Sequence, residues 1–313
     1  MTQIRSVKTR PKERSSGTLH SICVPAPYRL DLTVNVLRRL STNLVDVLSP
    51  DRAYLRVLGN TPDVAVVRVA QLDPGTLNVD IGDNRGEHSR LIAQVRRMLG
   101  VDADLTRFYQ SASLVQWLHP LVRRMRGVRP PRYPTVWEAC VNAIVFQQIS
   151  LHAASAIMNR YIRGLSAPVE HDGVRLYHFP GAEQFLSVPE SLLRSAGLST
   201  GKQETLRRVA HALTAGVLNE SQLEALPSPD AAVLLQGIKG IGPWTAAVIL
   251  LRGLGRLDVF PENDTGVARS LRLVGAPSAA SDVASLLDTL GADRGMLYYH
   301  LLLARLETRG ALE

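Results

Sequence analysis

Asp264 is the acid of most chemical interest in the chain. It lies in the run Asp258-Val259-Phe260-Pro261-Glu262-Asn263-Asp264-Thr265-Gly266-Val267-Ala268-Arg269. A Pro-containing loop precedes it and an apolar helical pattern (Val267, Leu271, Val274) follows, which is the place of a helix N-cap. The positive end of that helix favours the ionised carboxylate. In a cleft, such a carboxylate can stabilise the oxocarbenium-like cation formed when a sugar loses its leaving group. Capping alone is the plainer role for an Asp so placed, and the two roles are compatible. Glu262 and Asp258 are the other acids of the segment.

A second pattern lies upstream, Leu235-Gln236-Gly237-Ile238-Lys239-Gly240-Ile241-Gly242-Pro243-Trp244-Thr245-Ala246. Its spacing predicts two short helices joined by a Gly-rich hairpin, with Pro243 where the second helix starts. Gly240 and Gly242 permit φ > 0 and leave no side chain between the backbone and a ligand. The free amides of the second helix then suit a phosphate. A tight helix–helix connection with no ligand is the alternative reading.

The charge balance agrees with an anionic partner. Lys and Arg number 36 against 28 Asp and Glu, a net +8. Residues 1–14 contribute +4, residues 123–132 (RRMRGVRPPR) contribute +5, and the remainder is nearly neutral. Nucleic acid is the first expectation for such a chain and a membrane surface the second. The Arg123–Arg132 run is expected to face phosphates, with an ordinary solvated face as the alternative. The apolar runs, such as Trp244–Leu251, fall far short of the ~20 residues of a membrane helix. No signal-peptide core follows the basic N-terminus, because residues 15–24 mix Ser, His and Gly into any apolar stretch. Two cysteines, Cys23 and Cys140, cannot build a disulfide scaffold, a four-cysteine zinc site or an iron–sulfur cluster. The expectation is a soluble, reduced, cytoplasmic monomer with no metal and no membrane contact.

The elements that must position these residues fall into three stretches. Residues 1–17 read as a basic disordered tail. Residues 18–100 read as a small mixed α/β domain, with strand-like runs at Leu55–Leu58, Val64–Val69 and Leu77–Ile81 separated by turn residues. Leu91, Ile92, Val95, Met98 and Leu99 mark a helix there that stops at Gly100. Asp31–Val47 is ambiguous, since Leu30, Leu32, Val34 and Val36 alternate like a strand; a helix is favoured. Residues 101–313 read as helical, so the fold class is α+β. Thr135-Val136-Trp137-Glu138 predicts a capping box and Ser150 a further N-cap. Helices are then expected over Gly181–Ala196, Lys202–Ala215, Ala231–Gly237, Trp244–Arg252, Asp282–Leu290 and Met296–Leu306. His300, in an apolar stretch, reads as a core histidine.

The hairpin string resembles the helix-hairpin-helix of the DNA glycosylase superfamily, and within it the bacterial 3-methyladenine DNA glycosylase II branch. Asp264, which follows Gly242 by 22 positions, matches the family's catalytic aspartate. Arg129-Pro130-Pro131-Arg132, Trp137-Glu138 and Gln147-Gln148-Ile149-Ser150 resemble the segment that opens the family's core. Gly197-Leu198-Ser199 with Lys202 and Glu204 is similar to the loop and helix between them. The resemblance covers about residues 101–313, and the region before it fits the extra domain of that branch.

The resemblance implies an all-α glycosylase core of two helical subdomains behind the mixed domain. It implies an enzyme of base excision repair that binds damaged double-stranded DNA, flips out a base and hydrolyses its N-glycosidic bond. An alkylated purine such as 3-methyladenine or 7-methylguanine is the implied substrate. Family members that also cut the strand carry a lysine where this chain has Trp244, and the nearest lysine, Lys239, is in the hairpin. A monofunctional enzyme without lyase chemistry is therefore expected. The implied base pocket is Trp244, Val248 and Leu302; Tyr298 and Tyr299 either add to it or belong to the core. Gln148 with Ile149 is the implied wedge in the duplex, with a solvated surface as the alternative. Gly237, Lys239, Gly240, Gly242, Thr245 and Arg269 are the implied contacts to the DNA backbone. No redox or organic cofactor is implied; a monovalent cation on hairpin carbonyls is. The rival readings are a catalytically silent helix-hairpin-helix DNA-binding or lesion-sensing protein, and a glycosylase for deaminated, etheno or oxidised bases.

Overall fold

The computed structural model describes residues 17–60, 63–82, 88–276 and 280–312. Apart from Gly17, the basic tail read at residues 1–17 lies outside the described residues. The first unit is a five-stranded antiparallel sheet of β1 (Thr18–Cys23), β2 (Val47–Leu48), β3 (Tyr54–Asn60), β4 (Asp63–Asp73) and β5 (Thr76–Ile81), in the order β1-β5-β4-β3-β2. Alternation along β4 and β5 puts Val67, Val69, Leu77, Val79 and Ile81 on one buried face. Two helices complete the unit, α1 (Leu30–Arg38) and α2 (His88–Met98). The buried side chains of α2, Leu91, Val95 and Met98, join the core of the sheet.

The ambiguous segment is a helix, and the reason for its strand-like alternation is now visible. Leu30, Val34 and Leu37 of α1 pack into one hydrophobic core, while Leu32 and Val36 pack into another. A helix buried on both sides needs no polar face, so its sequence loses the usual amphipathic period. The helix ends at Arg38, well short of Val47.

The helical region contains α3 (Thr106–Ser113), α4 (His119–Arg124), α5 (Val136–Val145), α6 (Leu151–Leu165), α7 (Ala182–Leu186), α8 (Glu190–Ser195), α9 (Thr200–Thr214), α10 (Glu220–Ala225), α11 (Ser228–Gln236), α12 (Pro243–Gly253), α13 (Thr265–Leu273), α14 (Ala280–Leu290) and α15 (Gly295–Thr308). Apolar side chains of α5, α6, α9, α11 and α12 share the core that reaches the sheet. Those of α3, α4, α13, α14 and α15 form the second core. These are the two halves between which a cleft opens.

Three local expectations are corrected. Gly181–Ala196 is two helices, because Pro189 lacks an amide to continue the first and instead starts the second. A two-stranded ribbon, β6 (Pro168–His171) and β7 (Val174–Tyr177), interrupts the helical region. Its turn is Asp172-Gly173, both with positive φ, a strong hairpin signal in the sequence. The ribbon packs Leu176 against Leu55 and Val57 of β3, so the helical region also holds on to the sheet. Finally, the capping box at Thr135 is only half formed. The Thr135 hydroxyl accepts from the Glu138 amide at 3.2 Å, but the Glu138 carboxylate pairs with Arg56 on β3 at 2.5 Å. Arg56 also pairs with Asp46, which accepts from the Tyr54 hydroxyl at 2.8 Å. This buried cluster joins the sheet to α5.

Candidate active site

A cleft of about 840 Å³ lies between the two helical halves. Its walls come from the end of α5 and start of α6, the hairpin and α12, the start of α13, and α15. Asp264 is the N-cap of α13, with Oδ1 accepting from the amides of Gly266 at 2.6 Å and Val267 at 3.0 Å. The segment can turn here because Asn263, just before it, adopts φ 58°, a left-handed conformation that Asn tolerates. Oδ2 accepts from the indole N–H of Trp244 at 2.9 Å. Three donors thus fix the carboxylate, which remains partly exposed to the cleft. The Trp244–Asp264 bond was not foreseen from the sequence; it also fixes the plane of the indole ring.

Val248 and Leu302 line the same cleft and are almost fully buried, so they form its floor. Tyr298 lines it too. Tyr299 does not; it is buried and its hydroxyl donates to the Leu251 carbonyl at 3.1 Å. Phe146, which the sequence reading missed, joins Trp244 and Tyr298 as a third aromatic of the lining. No local pattern marks Phe146, because it lies at the end of α5 and reaches the cleft only through the packing of α5 against α12.

The corner between α5 and α6 carries Gln148 and Ile149, both exposed and both lining the cleft. Gln148 has φ 56°, a left-handed conformation unusual for a side chain of that size. Lys202 braces this corner by donating to the carbonyls of Val145 at 2.7 Å and Gln147 at 3.0 Å. Burial pulls the Lys202 ammonium below the ordinary lysine range. Gln147 itself ties the corner to the hairpin, donating to the Thr245 hydroxyl at 2.7 Å and the Gly240 carbonyl at 3.3 Å.

Among the residues expected to touch a DNA backbone, Gly240, Gly242, Thr245 and Arg269 line the cleft, while Gly237 and Lys239 lie outside its lining, exposed on the hairpin. The two hairpin glycines differ. Gly240 has φ 104°, and a Cβ there would fall 2.0 Å from the Thr205 hydroxyl oxygen. Gly242 does not use that freedom: it is extended at φ −93°, and a Cβ there would meet open space. The Thr245 side chain is turned inward to Gln147. The carbonyls of Lys239 and Gly240 accept from Arg208 at 3.3 Å and from Gln147.

The basic run at 123–132 does not line the cleft; Arg123, Arg124 and Arg126 are exposed, while Arg129 and Arg132 turn inward. Arg129 is buried and donates to the carbonyls of Pro25 and Ala103 at 2.7 and 3.1 Å, and Arg132 to that of Leu254 at 2.8 Å. Arg124 pairs with Glu307 at 3.0 Å, and Arg126 lies over the Tyr109 ring. The cations of the cleft are Arg39, Arg269, Arg305 and Arg309, and among the described residues Asp264 is the only carboxylate of the lining. Arg305 packs against the turn after Asp264, where a Cβ on Gly266 would fall 2.3 Å from its Nη1. An anionic backbone fits a cleft so charged.

Residues 141–289 match the HhH-GPD superfamily base excision DNA repair protein family. The DNA-3-methyladenine glycosylase of Bacillus subtilis (strain 168) is 26% identical over 211 residues, 67% of this chain and 70% of that protein. A probable bifunctional transcriptional activator/DNA repair enzyme AlkA of Mycobacterium tuberculosis (strain ATCC 25618 / H37Rv) is 32% identical over 190 residues, 59% of this chain but only 37% of that longer protein. The fold is shared with the 3-methyladenine DNA glycosylase from Archaeoglobus fulgidus, at a TM-score of 0.77 and 24% identity over 92% of this chain and 99% of that one. The HhH-GPD match begins inside α5 and ends inside α14, so it spans the corner between α5 and α6, the hairpin and Asp264. Among the described residues no helix is long and apolar enough to cross a membrane.

Proposed function

We propose that this chain is a DNA glycosylase of base excision repair that hydrolyses the N-glycosidic bond of an alkylated purine in duplex DNA. The observation that carries the reading is the Asp264 carboxylate, held by two helix amides and the Trp244 indole inside an arginine-lined cleft. DNA docks along the hairpin, the target nucleotide swings into the cleft, and Gln148 with Ile149 fills the gap it leaves. The base lies against Trp244, whose π face attracts an electron-poor ring. As the bond breaks, the sugar becomes cationic, and Asp264 stabilises it and orients the attacking water. An alkylated purine already carries positive charge and leaves as a neutral base, so no general acid is needed. The relatives named for 3-methyladenine support this substrate class.

No lysine lines the cleft among the described residues, and Lys202 is occupied by two carbonyls, which supports hydrolysis without strand cleavage. The deciding experiment uses duplex oligonucleotides with single lesions, scored for abasic sites. Wild type should release the alkylated base, and Asp264→Asn should bind the same duplex without releasing it. Binding without release by both proteins would make this a silent lesion sensor. A covalent adduct trapped by borohydride would overturn the monofunctional reading.

A further inference from the structure

Arg39 comes from the end of α1, outside the HhH-GPD match, yet it lines the cleft. Its side chain is 8% exposed. Its guanidinium lies over the Phe146 ring at 4.3 Å and has no hydrogen-bond acceptor or ion-pair partner among the described residues. Two other buried arginines do have oxygen partners. Arg56 is paired with two carboxylates, and Arg252 donates to the Val36 carbonyl at 2.7 Å. Burial, and then Arg252, hold the Arg39 guanidinium below its ordinary range. Its N–H groups open to the cleft rather than being sealed without a partner, so a ligand that displaces water there must supply the acceptor.

The depth of Arg39 decides which acceptor that is. Buried lining residues (Arg39, Asn142, Val248, Leu302) mark the floor of the cleft, and exposed ones (Gln148, Ile149, Arg269) mark its rim. A DNA phosphate stays at the rim, whereas an extruded base reaches the floor. The guanidinium is also held in place. Arg39 has φ 58°, its amide donates to the Asn35 carbonyl at 3.0 Å, and its plane is supported by Phe146.

We infer that Arg39 is a specificity-determining residue of the base pocket, its guanidinium fork reading the adjacent O6 and N7 acceptors of an extruded guanine-type base. This rests on the glycosylase reading and narrows its substrate. A planar fork matches two neighbouring acceptors, which is the commonest arginine–guanine contact. 3-Methylguanine keeps both acceptors. 7-Methylguanine keeps only O6, and 3-methyladenine sets an amino donor against the fork. The preferred lesion is thus an N3-alkylated guanine.

Duplex DNA treated with dimethyl sulfate carries all three bases, and chromatography of the released bases reads them in one assay. Wild type should release 3-methylguanine about tenfold faster than 3-methyladenine, the discrimination of one bidentate contact. Arg39→Met should bring that ratio close to one. Arg39→Lys, which keeps the charge but not the fork, should fall between. A role in stability alone would slow all three bases equally and leave the ratio unchanged in both variants, which overturns the inference. Preference of wild type for 3-methyladenine overturns it as well. If Arg39→Met fails to melt as a folded protein, the ratio of Arg39→Lys decides. Release of no base at all by wild type is a different outcome, because it removes the glycosylase reading itself.

Discussion

The indole nitrogen of Trp244 stands 2.9 Å from Oδ2 of Asp264 and donates to it. One residue therefore has two duties: its ring lines the pocket and its N–H aims the carboxylate. Trp244→Phe separates them. The ring face is kept and the donor lost, and a hydrogen bond to a charged group is worth about 1.5–3 kcal/mol. The single-turnover rate of base release should fall about tenfold to a hundredfold, with little change in duplex affinity.

The two hairpin glycines make opposite predictions. Gly240→Ala forces a left-handed alanine against Thr205 and should destabilise the fold by more than about 1 kcal/mol in urea titration. Gly242→Ala meets no neighbour and should leave the urea midpoint alone. If DNA approaches the hairpin backbone closely, that same substitution weakens duplex binding in a fluorescence titration.

The Arg56 cluster should matter to folding more than to chemistry. Arg56 is 1% exposed and serves both Asp46 and Glu138. Burial pushes Glu138 up to about 7 against the pull of Arg56. Arg56→Met leaves two buried carboxylates facing each other and should cost about 3–5 kcal/mol, read from chemical denaturation.

His300 sets an acid limit. It is fully buried, with Nδ1 donating to the Met296 carbonyl at 2.8 Å, and burial lowers it to about 4 from 6.5. The unfolded chain therefore takes up a proton between pH 6.5 and 4 that the folded chain refuses. Stability is unaffected above pH 6.5, declines as pH falls to 4, and loses about 3 kcal/mol in all. His300→Phe should flatten that slope in denaturation curves measured across the window.

What the sequence made legible was local. The N-cap at Asp264 and the hairpin glycines are determined by neighbours a few residues away, and Pro189 and Asp172-Gly173 are equally local signals. The long-range partners were not legible. Nothing near Glu138 shows that its carboxylate turns to Arg56 rather than back to its own helix. The Arg123–Arg132 run looks the same whichever partners its guanidiniums meet, yet Arg129 and Arg132 meet carbonyls and Arg124 a carboxylate. Arg39 is 107 positions from Phe146, so only the folded chain brings them together.

The placement of α1 has a consequence for how a base enters. One side of this helix is anchored in each half of the protein, Leu30, Val34 and Leu37 on one side and Leu32 and Val36 on the other. The walls cannot part without pulling α1 out of one of them, which would expose side chains worth about 1.5–3 kcal/mol each. The gap is set before DNA arrives. Bending and unstacking must then be borne by the duplex, and a lesion that loosens its own stacking gains entry where a sound base does not.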